Sequence, residues 1–224
     1  MLRQAVYTGH LAKLHGVKSV AGLFRDARGV GEFASLGDRK WYSFNWSAPA
    51  NLNLHLDAGA PAGQANSYPF ILRESSDRFI LLSTHHSVVQ AFFRWCRVEP
   101  QLEYPRVNII NLVSAVTRPP EDQGRIYRLG AVFAAVEGYG RTLKTVAFWG
   151  DDIGDAGLFQ EVAPQISPFR TALRDIRSDR EIVSIGSGGE VSFFYRGLGH
   201  LDQTDRLFRF LTGLDLISWG ISHG

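Results

Sequence analysis

One cysteine, Cys96, stands in 224 residues. That excludes an intramolecular disulfide and any multi-cysteine metal site. A lone thiol inside the apolar stretch AFFRWCRV reads as buried and inert, which fits a reducing cytoplasm. Strong charge of either sign is missing too. With 24 Lys+Arg against 22 Asp+Glu, the formal net charge is +2, so no overall field draws nucleic acid to the whole molecule. No apolar run approaches the roughly 18 residues that mark a membrane span, and the N-terminus lacks the continuous apolar core of a secretory signal. No membrane association is expected. Arg3, Lys13, Lys18 and Arg25, without an acid among residues 1–25, read as an ordinary basic first helix rather than a transit peptide. The nucleophile elbow, the phosphate-binding GxxxxGK(S/T) loop and the HExxH motif are all absent.

What is present is a well-mixed globular composition: 45% apolar, 21% charged and a high 12% aromatic. The five tryptophans read chiefly as core. Length suits one α+β domain over 1–224, with residues 1–70 as a looser N-terminal subregion. Leu2, Ala5, Val6, Leu11 and Leu14 predict an amphipathic helix over 2–15, and Val20 to Ala27 a second, short one. WYSFNW and the alternating NLNLHLD predict strands, residues 58–69 a loop, and FILRESSDRFILLST a hairpin turning at Ser75–Asp77. SVVQAFFRWC predicts a helix from Ser87, and RVNIINLVSAV a strand.

RLGAVFAAVEGYGRTLKTVAFWG predicts a long hairpin, LFQEVAPQI a short helix, and Ser167-Pro168 the start of a further helix. EIVSIGSGGEVSFFYRG predicts a hairpin with Gly186–Gly189 as its turn, and residues 202–212 a last helix ended by Gly213. The sum is an α+β fold: a mostly antiparallel sheet with several hairpins, packed by N-terminal, central and C-terminal helices.

Three clusters carry candidate chemistry. In TVAFWGDDIGDAGLF, Asp151, Asp152 and Asp155 follow an apolar run, and clustered carboxylates on such a turn can hold Mg²⁺ or Mn²⁺. WGDDIGDAGLF locally resembles the acidic motif of haloacid-dehalogenase-type phosphatases. Their aspartate nucleophile and upstream lysine have no counterpart, because RFILLSTHHSV offers Ser83, Thr84, His85 and His86 instead. The plainer reading is a polar turn in which Asp155 caps the next helix. His85 and His86 form the second cluster, able to supply a base or a metal ligand. The third is basic: Arg170, Arg174 and Arg177 at helical spacing, with Arg128, Arg141 and Lys144 around the central hairpin and Tyr127 and Tyr139 interleaved.

Cations beside aromatics suit phosphate and single-stranded nucleic acid, or an acidic protein surface. The expectation is therefore a non-catalytic binding or accessory subunit of a larger assembly, contacting nucleic acid or an acidic protein partner through arginine-rich faces. The alternatives are a Mg/Mn-dependent phosphoester hydrolase or nuclease using the acidic turn, with a histidine assisting, and a small-molecule-binding domain under the 58–69 loop.

Overall fold

Antiparallel strands joined by turns and short helices make up the described parts of this chain. The computed structural model describes residues 7–15, 30–35, 41–47, 67–74, 79–83, 86–95, 101–119, 124–136, 144–177, 182–194 and 200–221. These fall into two compact units: Gly9–Tyr104 with Leu198–Leu207 and Trp219–Gly224, and Met1–Thr8 with Pro105–Gly197 and Phe208–Ser218. Antiparallel strands and, among the described residues, four α-helices make an α+β protein, as expected.

The first unit is a run of antiparallel strands: β1 (Tyr7–His15), β2 (Val30–Ser35), β3 (Trp41–Ser47), β4 (Ser67–Glu74) and β5 (Phe79–Ser83), ordered β2-β3-β4-β5-β1. Helix α1 (His86–Trp95) follows, one residue earlier than its predicted start. Trp46, Phe70, Phe92 and Phe93 are fully buried, and their rings meet edge-on or tilted at centroid distances of 4.8–6.5 Å. This aromatic cluster is the unit's core.

Residues 7–15 form a strand, not part of the helix that the 2–15 spacing predicts. β5 pairs with β1 through His10↔Ser83 to Leu14↔Phe79, and β6 (Gln101–Val107) pairs with it through Lys13↔Glu103. Leu11 and Ala12 are both buried, so both strand faces are covered and the period-two signal is blurred. The predicted short helix at 20–27, the strand NLNLHLD, most of the 58–69 loop and the turn at Ser75–Asp77 lie outside the described residues; the strands flanking that turn pair as predicted.

The second unit carries helix α2 (Ile109–Thr117), where a strand is expected from the β-branched run. Asn108 decides the outcome: its side-chain oxygen accepts from the Asn111 N–H at 3.0 Å, a helix N-cap. Ile109, Leu112, Val113 and Val116 then bury one face. The central hairpin is β7 (Tyr127–Val136) and β8 (Thr145–Trp149), followed by a 3₁₀ turn (Ile153–Asp155) and helix α3 (Gly157–Val162).

Residues 166–175 also depart from expectation: they are strand β9 (Ile166–Asp175), not a helix begun by Ser167-Pro168. β9 lies between β7 and β10 (Ile182–Gly186), so cross-strand pairing on both edges overrides local propensity. Pro168, which has no N–H to donate, sits at a register shift opposite Ala134. β10 and β11 (Glu190–Phe193) form the predicted hairpin; Gly189 donates its N–H to Gly186 O and takes φ 84°, a conformation that favours glycine. The sheet order here is β11-β10-β9-β7-β8.

Helix α4 (His200–Gly213) ends in a Schellman motif before β12 (Ile217–Ile221). Leu216 N–H bonds Leu211 O, Asp215 N–H bonds Thr212 O, and Asp215 takes φ 50°. The left-handed residue is thus Asp215, two positions beyond the predicted stop at Gly213.

Candidate anion-binding sheet face

Strand pairing fixes which side chains share a face. In the second unit Trp149 opposes Ala131, Ala131 opposes Ala172, and Ala172 opposes Ser184. Arg170 and Arg174 flank Ala172 two residues away on the same strand, so they share its face. Arg128 directly opposes Arg174, and Phe133 opposes both Arg170 and Ala147. One face of β9-β7-β8 therefore carries Arg128, Arg170 and Arg174 with Phe133 and Trp149. The other carries Leu129, Val132, Ala134, Thr171 and Leu173, all buried, with α2 against β7 and β9.

Phe148 belongs to that core face and meets the buried Phe159 of α3 edge-on at 5.3 Å. Its neighbour Trp149 must then point the other way, and it is 70% exposed. The arginine face thus has a large aromatic ring at its rim, two strand spacings (about 10 Å) from β9. Ala131 and Ala172 lie between and are buried, as small residues are where longer neighbours overhang them.

The acidic turn answers to these arginines. Asp151 Oδ1 lies 3.3 Å from Arg174 Nη2. Asp152 Oδ2 lies 2.8 Å from Arg125 Nη2, and Asp155 Oδ2 lies 3.8 Å from Arg125 Nη1. The Arg125–Asp152 approach is close but makes no directed hydrogen bond, since Arg125 Nη2, Arg125 Nε and Asp152 Oδ1 are all buried without a hydrogen-bond partner. It is charge pairing. Each carboxylate therefore faces a guanidinium, and among the described residues no group of three or more His, Cys, Asp or Glu could hold a metal ion. Asp155 does not cap α3: the cap position is Ala156, with no side-chain hydrogen bond. The turn is instead seated by Ile153, which is buried, and by Gly154, where a Cβ would come within 2.7 Å of Thr117 Cγ2.

Of the other predicted residues, Arg177 lies past the end of β9 in a turn, its Nε 3.7 Å from Asp175 Oδ1. Lys144 is exposed at the start of β8 and its carbonyl accepts from Val136 N–H. Tyr127 faces the core against Phe210 rather than interleaving with exposed cations. His86 opens α1 in the first unit, whereas the aspartates belong to the second. His85, Arg141 and Tyr139 lie outside the described residues. The tryptophans read chiefly as core in the sequence, and Trp149 is one that lies outside it; alternation of Thr145, Ala147 and Trp149 against Val146 and Phe148 is the signal for it.

A crevice lined by Ala115, Val116, Pro119, Gly124, Arg125, Ile126, Tyr127 and Phe210 has about 10 Å³ of free space, enough for one water and no metabolite. No helix of the described residues is long and apolar enough to cross a membrane. No protein-family model matches the chain, and no curated protein is similar to it in sequence.

Proposed function

We propose that this chain is a non-catalytic binding subunit whose β9-β7-β8 face holds single-stranded nucleic acid. One observation carries the reading: strand register gathers Arg128, Arg170 and Arg174 on the same face as exposed Trp149. Guanidinium groups contact successive phosphates, and an indole at the rim offers a base a stacking surface. The hydrolase reading has less support, because Asp151, Asp152 and Asp155 are each occupied by an arginine.

The test is fluorescence anisotropy with labelled oligo-dT and oligo-U of about 15 nucleotides at two salt concentrations. Trp149→Ala is expected to weaken binding by about 5- to 160-fold, the range of one base-aromatic stack. Arg170→Ala should flatten the slope of log K against log salt by about 0.7. Binding of poly-glutamate with equal affinity and equal dependence on Arg170 but none on Trp149 would assign the face to an acidic protein. No binding of either polymer at low salt would end the proposal.

A further inference from the structure

Strand β8 ends the β11-β10-β9-β7-β8 order, and among the described residues only β7 pairs with it. The bonds from Gly150 N–H to Gly130 O and from Val136 N–H to Lys144 O fix which of its backbone groups are used. Antiparallel ladders alternate, so Lys144, Val146, Phe148 and Gly150 turn their backbone groups toward β7. Thr145, Ala147 and Trp149 then turn theirs outward, three N–H donors and three C=O acceptors along one edge. Edge strands are ordinarily guarded by lysine, proline or a bulge. Within TVAFW there is no charge, no proline and no register shift.

We propose that this edge pairs with the same edge of a second copy, β8 against β8, antiparallel about a two-fold axis through Ala147. The strand is self-complementary in that register. Ala147 faces Ala147 and each Thr145 faces the other copy's Trp149, so all six outward groups are satisfied. The ends agree in charge as well: exposed Lys144 at one end comes alongside Gly150 and the 94% exposed Asp151 at the other. An unrelated peptide has no reason to match both ends at once. The axis is perpendicular to the sheet, so both arginine faces lie on one side and the track for a polyanion doubles in width. The pairing itself does not depend on nucleic-acid binding. A five-residue edge is a small interface, so association is weak.

Sedimentation of the full chain tests this across about 1–500 µM, the range where weak complexes form. The mass is expected to rise from 24.9 kDa towards twice that value. Amide exchange at Thr145, Ala147 and Trp149 should slow with concentration. Ala147→Pro removes an outward N–H that no described strand of the single chain pairs with, and should hold the mass at one chain with an unchanged melting temperature. Ala147→Lys and Ala147→Glu should each remain single, whereas an equal mixture of the two should pair. That rescue distinguishes lost pairing from a folding defect. A one-chain mass throughout, pairing that survives Ala147→Lys, or dimers with those three amides still exchanging freely would each overturn the proposal.

Discussion

Replacing Asp151 by Asn separates the two readings of the acidic turn by sign. Asp151 Oδ1 sits 3.3 Å from one guanidinium nitrogen of Arg174, and a bound phosphate on the other edge would sit about 3 Å from it. Carboxylate and phosphate would then be about 7 Å apart. In water-like surroundings two unit charges at that distance repel by about 0.6 kcal/mol, or about threefold in affinity. Asp151→Asn is therefore expected to tighten oligonucleotide binding about threefold at low salt and to steepen the salt dependence as Arg174 engages a phosphate. Stability should change little, because a pair this exposed contributes about 0–1 kcal/mol; the melting temperature should move by less than about 3 °C. Anisotropy titrations and a thermal melt on the same samples read both quantities. Were the aspartates metal ligands for a bound nucleic acid, the same change would weaken binding. Unchanged or weaker binding refutes the competition between Asp151 and phosphate for Arg174.

Two further outcomes follow from local geometry. Asp215 holds φ 50° at the end of α4, so Asp215→Gly should stabilise the protein by roughly 0.5–1 kcal/mol in a denaturant or thermal melt, and Asp215→Ala should not. Burial pushes the Tyr104 hydroxyl from 10.0 up to about 12. Its raised folded value means that the folded protein holds this proton more tightly. Stability from this source is complete below about pH 10 and is lost as pH rises toward 12. Tyr104→Phe should remove that part of the alkaline destabilisation, and tyrosinate absorbance at high pH should show one late-titrating ring fewer.

Hairpins were legible because their signals are local. Gly189 marks the β10-β11 turn, and alternating apolar residues mark β7 and β8. The missed elements are those where long-range pairing decides. β9 has a proline where a helix could begin, yet β7 and β10 take both its edges. Spacing of four places Arg170 and Arg174 together on a helix and on a strand alike, so that part of the site was visible on the wrong element. Spacing of seven does not survive: Arg177 leaves the face when the helix becomes a strand. Arg128 joins only through its register with Arg174, which one sequence does not reveal. The acidic turn was visible as a strand followed by a polar bend, but its partners Arg125 and Arg174 come from 26 and 23 residues away, counted from Asp151 to Arg125 and Arg174.

The most direct test of the binding face is to observe Trp149 itself. In a two-dimensional nitrogen–proton spectrum, with the Trp149 indole assigned by Trp149→Phe, adding oligo-dT should shift the Trp149 indole N–H and the Arg170 side-chain N–H together and leave the indole of buried Trp46 in place. A spectrum in which oligonucleotide binds while the Trp149 and Arg170 signals stay fixed would contradict the account.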